Sequence, residues 1–124
     1  MMLFRASASA TIMTLSTRAL ASSVAGQISA TGGYVAGGRS IPGFGWTVGA
    51  SAKQFKFRYT TAGLTFTANA GPLTNIKYAL IRNSVSATGG KVLCFCTLSS
   101  SQFTVSSGNS VDIVPSTLGV FTLA

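Results

Sequence analysis

Histidine is missing from this sequence altogether, and Asp112 is its single acidic residue among 124. Each absence removes a class of chemistry. Without histidine there is no imidazole to act as a general base near neutral pH, so Ser–His–Asp and Cys–His nucleophile systems are excluded. One carboxylate supplies neither a glycosidase-type acid pair nor the oxygen cage of a hard cation. A Ser–Lys dyad survives on paper, but no serine is marked as a nucleophile. No enzyme activity, no cofactor and no metal are therefore expected. Charge of either sign is scarce, at 8% of residues, where an isolated soluble domain carries about 25%. That shortfall predicts a surface covered by other subunits. Cysteine is nearly absent too. Cys94 and Cys96 sit two apart, on one face of an extended chain and about 7 Å apart between Cα atoms, so a disulfide between them would be strained. They are expected to be reduced thiols acting as small apolar groups, because neither further Cys nor any His completes a tetrahedral zinc set. No apolar run approaches the ~20 residues of a membrane span. Gly37-Gly38-Arg39 lacks the strand–loop–helix setting of a phosphate loop and reads as turn chemistry.

Hydrophobic residues make up 47% of the chain, and the net charge is +8 with nine Lys and Arg. Much of the polar remainder is Ser, Thr, Gly and Asn, which suit strand faces and turns better than helices. A chain of this length is one domain, residues 1–124, burying roughly two thirds of its unfolded surface. The positive balance favours an acidic partner, whether a protein surface, nucleic acid or an anionic membrane. The basic residues are dispersed and form no dense run.

Taken in order, Met2–Ser9 reads as a first strand, and Thr14–Gln27 as a short helix with Leu15, Ala19 and Leu20 on one side. The acid-free stretch Met1–Ala25 has the Ala/Ser/Arg composition of a transit peptide but is expected to remain in the mature chain. Ile28–Gly45 is a glycine-punctuated loop. Trp46–Ala50 and Gln54–Thr60 form a strand pair in which Gln54, Lys56 and Arg58 alternate with Phe55, Phe57 and Tyr59. That spacing puts cations on one face and aromatics on the other, with the aromatics expected in the core; a base-stacking platform needs both on one face. Leu64–Ala68 is another short strand. From Thr74 to Ala124 the pattern predicts a meander of five strands. Ile76–Arg82 is apolar on both alternate sets, as for a strand covered on two faces. Val92, Cys94, Cys96 and Leu98 alternate with Leu93, Phe95 and Thr97. Phe103–Ser106 and Ser110–Ile113 form a hairpin over Ser107-Gly108-Asn109, and Leu118–Leu123 closes the chain. About eight short strands at this turn spacing predict an all-β fold, a β-sandwich or a jelly-roll-like barrel, with residues 1–27 as an N-terminal segment, 28–45 as the loop and 46–124 as the core.

The run Gly33-Tyr34-Val35-Ala36-Gly37-Gly38 is followed by Leu64-Thr65-Phe66-Thr67-Ala68 and then by Leu73-Thr74-Asn75-Ile76-Lys77-Tyr78-Ala79-Leu80-Ile81. With the closing Gly119-Val120-Phe121-Thr122-Leu123, this order resembles a group of small β-rich accessory virion structural proteins of tailed bacteriophages. Those proteins share a G-Y-x-A-G-G element and an I-T-N-A-R-Y-A-V-I-like strand, and they carry more Asp than this chain, which keeps only Asp112. The resemblance implies a virion protein, most specifically a capsid decoration or cement protein on the exterior that binds the major capsid protein, as a homo-oligomer such as a trimer. A tail, neck or fibre component is the second expectation, and a basic nucleic-acid-binding module the third; no membrane is implied. The candidate partner-contact residues are Tyr34, Arg39, Trp46, Lys53, Lys56 and Arg58.

Overall fold

The fold is given by a computed structural model that describes residues 1–8, 25–49, 54–59, 63–83, 90–117 and 119–123. Among these residues there is no helix and there are nine strands: β1 (Met2–Arg5), β2 (Gly45–Val48), β3 (Phe55–Arg58), β4 (Leu64–Thr67), β5 (Leu73–Arg82), β6 (Val92–Thr97), β7 (Phe103–Val105), β8 (Ser110–Ile113) and β9 (Phe121–Leu123). They form open antiparallel sheets, and none closes into a barrel, which corrects the barrel half of the expectation. The helix expected at Thr14–Gln27 falls mostly outside the described residues. Its last residue, Gln27, is not helical and instead bridges Phe4 of β1.

The chain divides into two compact units, one built from Met1–Arg39 and Thr67–Ser110, the other from Ser40–Phe66 and Val111–Ala124. The larger unit is organised around β5. Its Ile76, Ala79, Leu80 and Ile81 are all at most 1% exposed, as a strand apolar on both alternate sets requires. β1 pairs along one edge of β5, and β6 and β7 pair with successive lengths of it. The register sorts the side chains into two faces. Met2, Phe4 and Leu80 pack together with Tyr78, Val92 and Phe95 on one, where the Phe95 ring tilts against Phe4 and Tyr78 at 5.7 and 5.2 Å. Leu3, Ala79, Ile81, Cys94 and Cys96 take the other. Full burial of a Leu, Ile or Phe side chain contributes about 1.5–3 kcal/mol each, so this strand triplet holds the unit together.

Period two fails at one place in β6. Ile81 faces Cys94 but Arg82 faces Val92, which leaves Leu93 as an extra, exposed residue and turns Val92 to the side of Phe95. A local register shift of this kind leaves no mark in an alternating apolar pattern.

The Gly-rich loop is clamped by contact. Gly38 has φ +78°, and a Cβ there would overlap the Met1 carbonyl. The loop returns that proximity as bonds: the Arg39 amide donates to the Met1 carbonyl at 2.9 Å, and the Met1 amine donates to the Arg39 carbonyl at 2.5 Å. Burial lowers the pKa of that amine from 8.0 to about 6, with the Arg82 guanidinium adding to the effect.

The expected meander is corrected after β6. β7 joins β5, β8 joins β4 and β9 joins β3, so the predicted β7–β8 hairpin does not form. The turn itself is present, with the Asn109 amide bonded to the Ser106 carbonyl at 3.0 Å. Ala68 captures it from outside: the Gly108 amide donates to the Ala68 carbonyl at 2.6 Å, and the Ala68 amide to the Asn109 carbonyl at 2.9 Å. Thr67 and Ser110 extend this ladder with a hydroxyl pair at 3.0 Å. Cross-strand partners chosen that way are non-local and are not written in the local sequence.

Candidate protein-contact surface

The smaller unit carries a three-stranded sheet in the order β2–β3–β9. Its first two strands form a hairpin because Gly49 and Gln54 close it, the Gly49 amide donating to the Gln54 carbonyl at 2.7 Å. In the register Trp46 faces Phe57 and Val48 faces Phe55, while Gly45 faces Arg58 and Thr47 faces Lys56. One face is therefore wholly apolar and the other polar and basic. Among the described side chains of β2 and β3 on the apolar face, Phe57 is buried, at 4% exposure. Trp46 stands edge-on to its ring with centroids 5.5 Å apart, and Phe44 tilts against it at 6.2 Å. Around that anchor Phe44, Trp46, Val48 and Phe55 are between 50% and 75% exposed. Contiguous apolar exposure of this kind marks an interaction site more often than an isolated surface residue does.

β9 lies along the other edge of β3, with Phe57 facing Phe121 and Lys56 facing Thr122. Gly119, at φ +91°, lets the chain approach close enough for the Val120 amide to reach the Phe57 carbonyl at 2.9 Å, and a Cβ at Gly119 would stand 3.0 Å from that same oxygen. Within the same unit Asp112, the sole acid, accepts a bond from the Thr65 hydroxyl at 2.5 Å, and the Tyr59 hydroxyl donates to the Ile113 carbonyl at 2.7 Å. These bonds tie β4 and the residue after β3 to β8. Among the described residues no group of three or more His, Cys, Asp or Glu is gathered for a metal ion, and no helix is long and apolar enough to cross a membrane.

Neither a known protein family, nor a curated protein, nor a solved structure matches this chain.

The structure separates the six residues singled out from sequence. Trp46, Lys56 and Arg58 come together on the β2–β3 hairpin, Trp46 on the apolar face and both cations on the reverse, half-buried beside Gly119. Tyr34 and Arg39 belong to the other unit, and Lys53 lies outside the described residues. Tyr34 is 5% exposed, and its hydroxyl accepts from the Leu3 amide at 3.0 Å and from Gln27 Nε2 at 2.7 Å, so it pins β1 to the glycine loop. Its burial raises the phenol pKa further above its ordinary value of 10.0. Arg39 is exposed, with its main chain tied to Met1. Phe44, Val48 and Phe55 were not singled out. Sequence reasoning placed Phe55 in the core with Phe57 and Tyr59, since alternation shows which residues share a face but not whether that face is covered. Phe57 and Tyr59 are buried, and Phe55 is 51% exposed.

Proposed function

We propose that this chain is a structural adhesion protein of a tailed-phage virion, a capsid decoration protein that binds the major capsid protein on the outside of the head. The observation that carries the reading is the open apolar face of the β2–β3 hairpin. Phe44, Trp46, Val48 and Phe55 offer aromatic and branched anchors of the kind that dominate protein–protein interfaces. The segregation of Lys56 and Arg58 onto the reverse face favours a protein partner over nucleic acid, because stacked bases and their phosphates need aromatics and cations on one surface. A chain with net charge +8 and one acid is drawn to an acidic shell surface by long-range attraction, and the apolar face then supplies short-range affinity. Repeated over a symmetric shell, many modest contacts act together against the outward pressure of packaged DNA. Stacking of the sheets as a sandwich and self-assembly into a closed homo-oligomer such as a trimer belong to the same proposal.

The test is to locate the chain in purified virions by cryo-electron microscopy. Density on the head exterior, and heads that lose DNA on heating when the chain is left out, are expected. Its absence from the head, or heads equally stable without it, overturns the reading. Density confined to the tail, neck or fibre would replace it with the second expectation.

A further inference from the structure

Cys94 and Cys96 take no part in the proposed contact surface, yet their arrangement is specific. Both lie in β6, which pairs on β5 through Ile81↔Cys94 and Ala79↔Cys96, so both side chains leave the same face of the sheet. The two sulfurs are 3.7 Å apart, both thiols are reduced, and both residues are partly exposed. The Cα spacing is held by backbone pairing rather than by a flexible loop, and the two side-chain rotamers bring the sulfurs together across it. Two thiolates bound to one tetrahedral zinc ion at about 2.3 Å each stand about 3.8 Å apart, the length of one edge of the coordination tetrahedron. The sulfurs already stand at that separation.

We propose that Cys94 and Cys96 form a preorganised two-thiolate clamp for a soft d10 metal cation of the zinc or monovalent copper class. The sequence reading set zinc aside because four protein ligands cannot be gathered, but an open site needs fewer, with solvent in the remaining positions. Binding replaces two metal–water bonds with two metal–sulfur bonds, and each thiol gives its proton to solvent. Two adjacent thiolates repel one another, and a cation between the sulfurs offsets that repulsion. The clamp is independent of the role in a virion, and its failure would leave that role untouched.

Cd2+ is the probe, because cadmium–thiolate bonds absorb in the ultraviolet. Titration of the reduced full chain is expected to saturate at one Cd2+ per chain with two protons released per metal, and Zn2+ is expected to displace it. Cys94→Ser and Cys96→Ser variants are each expected to bind about 100-fold more weakly, since the second thiolate acts at high effective concentration. The proposal is overturned by the absence of thiolate absorbance, by release of one proton or none per metal, or by either variant binding as tightly as the parent. Should the variants fail to fold, the parent's stoichiometry and proton release decide the matter alone.

Discussion

The two units of this chain treat apolar side chains in opposite ways. Around β5 they are enclosed: Leu3, Phe4, Ile76, Leu80 and Ile81 are at most 1% exposed. In the smaller unit Phe57, Tyr59, Leu64 and Phe66 are covered, but Phe44, Trp46, Val48, Phe55 and Val114 stand open, five of the seven large hydrophobic residues exposed among the described ones. Composition alone would make the two regions alike. The difference lies in what the backbone brings to each face, and it separates a part that stabilises the chain from a part available to a partner.

The sharpest way to test that contrast is to remove a side chain from the enclosed region. Phe4→Ala is expected to cost about 3–5 kcal/mol in denaturant unfolding, because it leaves a cavity beside Phe95 and Leu80. A loss under about 1 kcal/mol would show that the β1–β5–β6 core is not what holds the larger unit. Gly38→Ala comes next, at about 2 kcal/mol or more. The residue would need a left-handed backbone while its methyl group displaced the Met1 carbonyl, and a lowered melting temperature reads this out. On the open face the order of effects reverses. Trp46→Ala and Phe55→Ala are expected to change stability by no more than about 1 kcal/mol while weakening binding to isolated capsid at least about tenfold. Equal binding by the variants would remove the hairpin from the interface.

The smallest expected effect concerns pH. The Met1 amine has a folded-state pKa of about 6 against 8.0 for the unfolded chain, so between those values the unfolded chain holds more protons. Stability therefore rises as pH goes from 6 to 8 and falls on acidification through the same window. The gain is at most about 1 kcal/mol, since the amine keeps partial contact with water. Urea midpoints at the two pH values, compared with an N-acetylated chain expected to lack this slope, measure it.

Much of the fold could be read from sequence because it rests on local patterns. The doubly apolar run at Ile76–Arg82, the strands around Phe55–Arg58 and the glycine loop are all where periodicity and turn chemistry put them. Partnership was not legible. The turn at Gly108 looks like a hairpin, and only the bonds from Ala68 show why β7 and β8 part company. The contact surface was half legible for a related reason: alternation put Phe55, Phe57 and Tyr59 on one face, but how far a face is covered depends on segments distant in sequence. Tyr34, with the polar hydroxyl and aromatic ring of an interface residue, spends both inside the fold. The thiol pair was visible as C-x-C, yet the sulfur separation rests on side-chain rotamers that sequence spacing does not fix.

Each unit is assembled from two separate stretches of chain, and this orders events at the ribosome. The segment holding β2 and β3 is made before the second half of the larger unit and about sixty residues ahead of β9, the strand that completes its sheet. Phe55 and Phe57 therefore wait through much of translation with one sheet edge unfilled. Chaperone demand during synthesis should then fall mainly on the β2–β3 hairpin, whose apolar face is exposed, and neither unit can be obtained by simply cutting the gene in two.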